Sequence, residues 1–116
     1  MWRHTDWSRV RVEQVNPLLE RQIVPGEKVM VVRWRFKKGC IIPLHQHPNE
    51  QISIGEEGTL RFLIDGKEVE VGRNGILCIP SNVPHQAEAI EDSVAIDIFA
   101  PPREDFLKGS DEYLRR

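Results

Sequence analysis

Gly39-Cys40-Ile41-Ile42-Pro43-Leu44-His45-Gln46-His47-Pro48-Asn49-Glu50-Gln51, followed by Gly55 and Gly58, is the stretch whose reading decides the fold. Two histidines at i and i+2 on an extended chain point to the same face, so both imidazoles can reach one ion. Gln51 offers a third donor four residues on, along the next stretch of that strand, while adjacent Glu50 points to the opposite face. The fourth donor must come from elsewhere in the chain. Ile79-Pro80-Ser81-Asn82-Val83-Pro84-His85 supplies it, with His85 at the start of a later strand. Three of the four histidines are used in this way. His4, alone near a terminus, reads as exposed and inert. A single histidine is more often a satisfied polar residue than a ligand, but His45, His47, Gln51 and His85 taken as a set point to one divalent transition metal. Imidazole with one oxygen donor suits Ni, Zn, Fe or Mn, and donor type alone does not choose among them.

Outward from this stretch, short runs alternate apolar with polar residues: Val10 to Glu13, Val29 to Phe36, Leu60 to Ile64, Val69 to Val71 and Val94 to Phe99. Period two puts one face of each strand in a core. Turn signals separate them at Pro25-Gly26, Lys38-Gly39, Gly58, Asp65-Gly66, Asn74-Gly75 and Pro80-Ser81-Asn82. Asp65-Gly66 is the best tight hairpin, because a type I′ turn needs the positive φ that Asp and Gly tolerate. Strands so spaced indicate a sandwich or closed barrel. Only the tail departs from this, with short helical turns expected over Arg103 to Phe106 and over Ser110 to Arg116, Ser110 capping the second.

The chain has 116 residues, room for one domain. Sixteen basic residues against eighteen acidic ones leave no field of the kind that draws in nucleic acid or anionic lipid. No apolar run approaches the length needed to span a bilayer, and the N-terminus lacks an apolar leader, so a cytoplasmic protein is expected. Cys40 and Cys78 sit in apolar, strand-like stretches where a reduced, buried thiol is the default.

Gly39 through Gly58 resembles the first cupin motif, a glycine, His-x-His, an acidic position and a closing glycine. Asn74 through His85 resembles the second, in which a proline precedes the last histidine by five residues. The resemblance implies an all-β fold, a cupin jelly-roll β-barrel with the metal inside. It further implies one domain over 1–116, a metal-binding core at 39–100, a C-terminal extension at 101–116 and a homodimer. Gln51 stands where most cupins carry a glutamate ligand. Three imidazoles and an amide leave the charge of a divalent ion uncompensated, so its open positions should favour anionic oxygens.

The last strand places Val94, Ile96 and Ile98 on one face and Ala95, Asp97 and Phe99 on the other. Alternation alone leaves Asp97 facing either the interior or water. His47-Pro48-Asn49-Glu50-Gln51, Pro84 through Ala89 and Asp97 through Leu107 resemble the KdgF-like family of small pectin-degradation cupins. In that family Gln replaces Glu at the metal, and an Asp-x-Phe-x3-Arg set, here Asp97, Phe99 and Arg103, carries function. The implied activity converts 4,5-unsaturated uronate monosaccharides, a sugar acid, to linear 5-keto-4-deoxyuronate. Asp97 is then the general acid/base, Arg103 the partner of the uronate carboxylate and Phe99 an apolar wall, although a plain core phenylalanine reads nearly as well. Arg103 also has a bland reading, surface pairing with Glu104 or Asp105. A different cupin enzyme, dioxygenase or sugar isomerase, and a non-catalytic sugar-binding cupin are the competing functions, because this fold hosts many chemistries.

Overall fold

The computed structural model describes residues 1–115 as two antiparallel sheets facing each other. Ten strands follow a 3-10 turn at Trp7–Arg9: β1 Glu13–Asn16, β2 Leu19–Pro25, β3 Met30–Phe36, β4 Ile41–His45, β5 Glu50–Glu57, β6 Leu60–Ile64, β7 Lys67–Val71, β8 Ile76–Ile79, β9 His85–Ala89 and β10 Ser93–Ala100. One sheet has the order β1-β2-β3-β10-β5-β8 and the other β4-β9-β6-β7. This is the expected jelly-roll barrel, with the inward faces of both sheets forming one core.

Residue choice explains the strands that position the site. In β10, Ala95, Asp97 and Phe99 face inward, and Asp97 stands opposite Ser53 of β5 and Val32 of β3. The Asp65-Gly66 turn forms as expected, with φ of 52° and 70° joining Ile64 to Lys67. Gly55 is required by close approach: a Cβ there would lie 2.0 Å from the carbonyl oxygen of Gly72, whose turn crosses β5 at that point.

Several expectations are corrected. Val10 to Val12 stay outside the sheet, and the first strand begins only at Glu13. Cys40 is buried as expected, but Cys78 is exposed, because β8 is an edge strand whose outer face carries it beside exposed Ile76. The tail forms a helix α1, Glu104–Lys108, closed by Gly109 at φ 70°, and a 3-10 turn at Glu112–Leu114 that follows Asp111 rather than Ser110. Arg116, the last residue of the second expected turn, lies outside the described residues. Phe106 and Leu114 are buried in the barrel core, so this segment closes one end of the barrel. Among the described residues no helix is long and apolar enough to cross a membrane.

Candidate metal centre

His45 and His85 are brought together by strand pairing. They oppose each other across β4 and β9, with ring centroids 4.3 Å apart. The register explains why His45 faces inward. Between Ile42 and His45 strand β4 carries one residue more than β9, a β-bulge at Pro43-Leu44 that leaves both of those side chains outside. Proline suits the place, since it has no N–H to give to a ladder.

The two motif histidines therefore do not share a strand face, as simple alternation had it. His47 lies beyond the end of β4, in the loop that crosses to the other sheet, and Gln51 lies on β5. The crossing still delivers all four side chains to one place. One ligand nitrogen from each of His45, His47 and His85 lies within 4.8 Å of the other two, so the three imidazoles can hold a metal ion.

The hydrogen bonds fix the tautomers that a metal requires. Each Nδ1–H donates to a backbone carbonyl: His45 to Pro43 at 2.7 Å, His47 to Asn49 at 3.0 Å and His85 to Val83 at 2.8 Å. Every Nε2 lone pair is thereby left for the centre. His85 Nε2 is buried without a partner among the described residues. His47 Nε2 stands 3.0 Å from Gln51 Oε1, two acceptors face to face, an arrangement that a cation between them relieves. Burial holds His45 and His47 down at about 4, and lowers His85 as well, which keeps the imidazoles neutral and able to ligate. By these tests the residues fit a divalent ion.

From Gln51 a chain of hydrogen bonds runs inward. Its Nε2 donates to Ser53 Oγ at 2.9 Å, Ser53 donates to Asp97 Oδ1 at 2.5 Å, and Trp34 Nε1 donates to Asp97 Oδ2 at 2.9 Å. Burial pushes the Asp97 carboxyl up to about 6, against the opposing pull of these two donors. The accessible surface that Asp97 keeps faces the narrow, largely apolar interior cavity, so desolvation dominates.

Residues 32–99 match the family model of the cupin domain. The chain belongs to the cupin family. The pectin degradation protein KdgF of Dickeya dadantii (strain 3937) is 30% identical to this cupin over 98 residues, covering 82% of this chain and 89% of that protein. Among solved structures, KdgF from Halomonas sp. superposes with a TM-score of 0.86 at 26% identity, covering 91% of this chain and 99% of the other. An RmlC-like cupin from Shewanella frigidimarina NCIMB 400 gives 0.85 at 27% identity, covering 91% and 96%.

Two spaces adjoin the centre of this cupin. Inside lies a cavity of about 40 Å³, lined among others by Trp34, His45, Gln51, Asp97 and Phe99. At roughly 10–15 Å³ per water on this measure, it takes about three waters. Outside lies a groove of about 960 Å³ along Gln46, His47, Asn49 and Asp105, and His45, Arg103 and Tyr113 line both spaces.

Phe99 is at once core and wall. It is 1% exposed and packs edge-on to the His47 ring at 5.7 Å. Arg103 is buried beneath the groove, and its ion pair with Asp105 is not the surface contact its neighbours suggested. Nε and Nη2 donate to the two Asp105 oxygens at 2.9 and 2.7 Å, so the fork expected for a substrate carboxylate is already filled. Burial alone would lower Arg103; Asp105 and Tyr113 outweigh it and raise it. Asn49 holds this segment over the metal loop by donating to the Pro101 carbonyl at 2.6 Å.

Sequence reasoning did not single out Trp34, Ser53 or Tyr113. Trp34 and Ser53 sit on inward positions of alternating strands and read as ordinary core, and nothing local marks their bonds to Asp97. Tyr113 lies in the tail, where no motif reaches.

Proposed function

We propose that this cupin opens 4,5-unsaturated uronate monosaccharides to linear 5-keto-4-deoxyuronate, with one divalent transition metal, Ni, Zn, Fe or Mn, on His45, His47, Gln51 and His85. One observation carries the reading: a carboxyl that titrates near neutrality, Asp97, stands two hydrogen bonds from the amide of a neutral three-imidazole-plus-amide cluster. The names of the relatives, a pectin degradation protein and KdgF, support it.

The chemistry needs a proton moved twice. Ring opening breaks the C1–O5 bond of the hemiacetal, with the C1 hydroxyl losing its proton and O5 gaining one to give an enol at C5. Ketonisation then removes the enol proton and adds one at C4. Asp97 takes and returns these protons, and a group near pH 6 does both at neutral pH. Trp34 and Ser53 hold its two oxygens and fix its orientation. Phe99 closes one wall against water, and the Nη1 donors of Arg103, which have no acceptor among the described residues, are left for the sugar acid. A bound divalent ion supplies Lewis-acid polarisation of sugar oxygens.

The test is the loss of C=C absorbance of an unsaturated uronate monosaccharide mixed with metal-loaded protein, with Asp97→Asn and chelated protein as controls. Loss that both controls abolish is expected. A rate equal to buffer alone would return the protein to a cupin without this reaction.

A further inference from the structure

Arg103 has five N–H donors. Nε–H and one Nη2–H go to Asp105, and Nη2 also donates to the Tyr113 hydroxyl at 2.8 Å, so only Nη1 has no acceptor among the described residues. A carboxylate arriving at the groove thus meets a guanidinium whose fork is filled and whose charge Asp105 already balances. One arginine nitrogen cannot grip both oxygens in the two-point geometry that makes such pairs strong. A second donor must come from beside it.

Tyr113 is that neighbour. Its oxygen accepts from Arg103, and its own proton has no acceptor among the described residues. The ring lies against His45, centroids 4.8 Å apart and tilted by 32°, which places the phenol at the junction of cavity and groove. The segment that carries it is firmly built: Asp111 and Arg21 form a fully buried ion pair, and Asn16 Nδ2 donates to the Leu114 carbonyl at 2.7 Å. The interior cavity is too small for a hexuronate of twelve heavy atoms, so the sugar must lie across this junction, within reach of both donors.

We propose that Tyr113 is a substrate-binding residue, its phenol O–H and Arg103 Nη1–H together forming the two-point donor for the carboxylate of the sugar acid. This rests on the uronate reading above. It makes the acid, and not the ester or the neutral sugar, the preferred ligand, through direction of hydrogen bonds and not through net charge.

The experiment uses the metal-loaded Asp97→Asn protein, in which the substrate is not turned over, and measures by calorimetry its affinity for the unsaturated uronate and for the methyl ester of that sugar. Tyr113→Phe is then added to the same background; it keeps the ring against His45 and removes only the hydroxyl. Loss of one hydrogen bond to a charged acceptor is expected to weaken acid binding by about tenfold or more. Ester binding, metal content and melting temperature should not change. In the otherwise wild-type protein KM should rise by the same factor with kcat within about twofold, the signature of lost uniform binding. Equal affinity of Asp97→Asn with and without Tyr113→Phe, where the parent does prefer acid to ester, would overturn the role of Tyr113 alone. A parent that binds acid and ester alike, or neither, would overturn the uronate reading and this inference together.

Discussion

Trp34→Phe isolates one bond to the proposed acid/base. The indole Nε1–H donates to Asp97 Oδ2 at 2.9 Å, and the ring is otherwise held by apolar packing on Phe36 and edge-on contact with Phe106. Phenylalanine keeps much of that packing and deletes the donor. A hydrogen bond to a charged group contributes roughly 1.5–3 kcal/mol. At about 1.4 kcal/mol per pKa unit, its loss disfavours the ionised form by about one to two units. The Asp97 carboxyl, pushed by burial to about 6, should therefore move up to about 7–8. Two measurements check this: the carboxyl ¹³C shift of labelled aspartate against pH in metal-free protein, and the pH dependence of kcat/KM in loaded protein. The metal changes the absolute midpoint, but the difference between wild type and variant remains. A uniformly slower enzyme with an unmoved midpoint would refute the argument, since the bond would then hold the ring without tuning the acid.

Three further outcomes are expected. Acidification should weaken the metal-free fold: His45 and His47 titrate near 4 in the folded protein against 6.5 when free, so below pH 6.5 the unfolded chain takes up protons that the folded one refuses. Between pH 7 and 5 this removes about 2 kcal/mol per imidazole, offset by about 1 kcal/mol because Asp97, raised in the fold, becomes neutral there, and urea titrations in chelator should show the net loss. Arg21→Met strands the fully buried Asp111 with only exposed Arg115 as partner, and should destabilise by about 3–5 kcal/mol in denaturant; a loss below about 1 kcal/mol would show that the pair contributes little. His47→Ala and His85→Ala should each bring metal per chain, read by elemental analysis, from near one to near zero, and retention of the ion would exclude that side chain as a ligand.

The parts of the fold legible in the sequence were those carried by strong local chemistry. Asp65-Gly66 announces its turn because few other pairs accept two positive φ angles, and β3 alternates cleanly with large side chains at Met30, Val32, Trp34 and Phe36. Strand β9 alternates in burial as well, but its inward residues are His85, Ala87 and Ala89, whose small or polar side chains give no hydrophobic signal. Strand β4 hides its direction in the bulge at Pro43-Leu44, so His45 and His47 meet at one place by a bulge and a loop and not by the shared strand face that their spacing suggested. At the site the donor types were readable from spacing and resemblance. Their supports were not: Ser53, Trp34 and Tyr113 act through contacts 44, 63 and 10 residues away in sequence, and only folding brings those partners together.

The candidate ligands are divided between the two layers, His45 and His85 on the four-stranded sheet, Gln51 on the six-stranded one and His47 on the loop that joins them. An ion seated among them would work as a rivet through both plates of the barrel. Its removal would loosen the joint between the sheets, so amide exchange should quicken first at β4, the edge strand that carries His45, and at its neighbour β9. Because only the closed barrel gathers all four candidate donors, free metal at about a thousand times its dissociation constant would add about 4 kcal/mol to the resistance against unfolding. The supply of metal in the cell would then set not only how fast this protein works but how long each copy lasts.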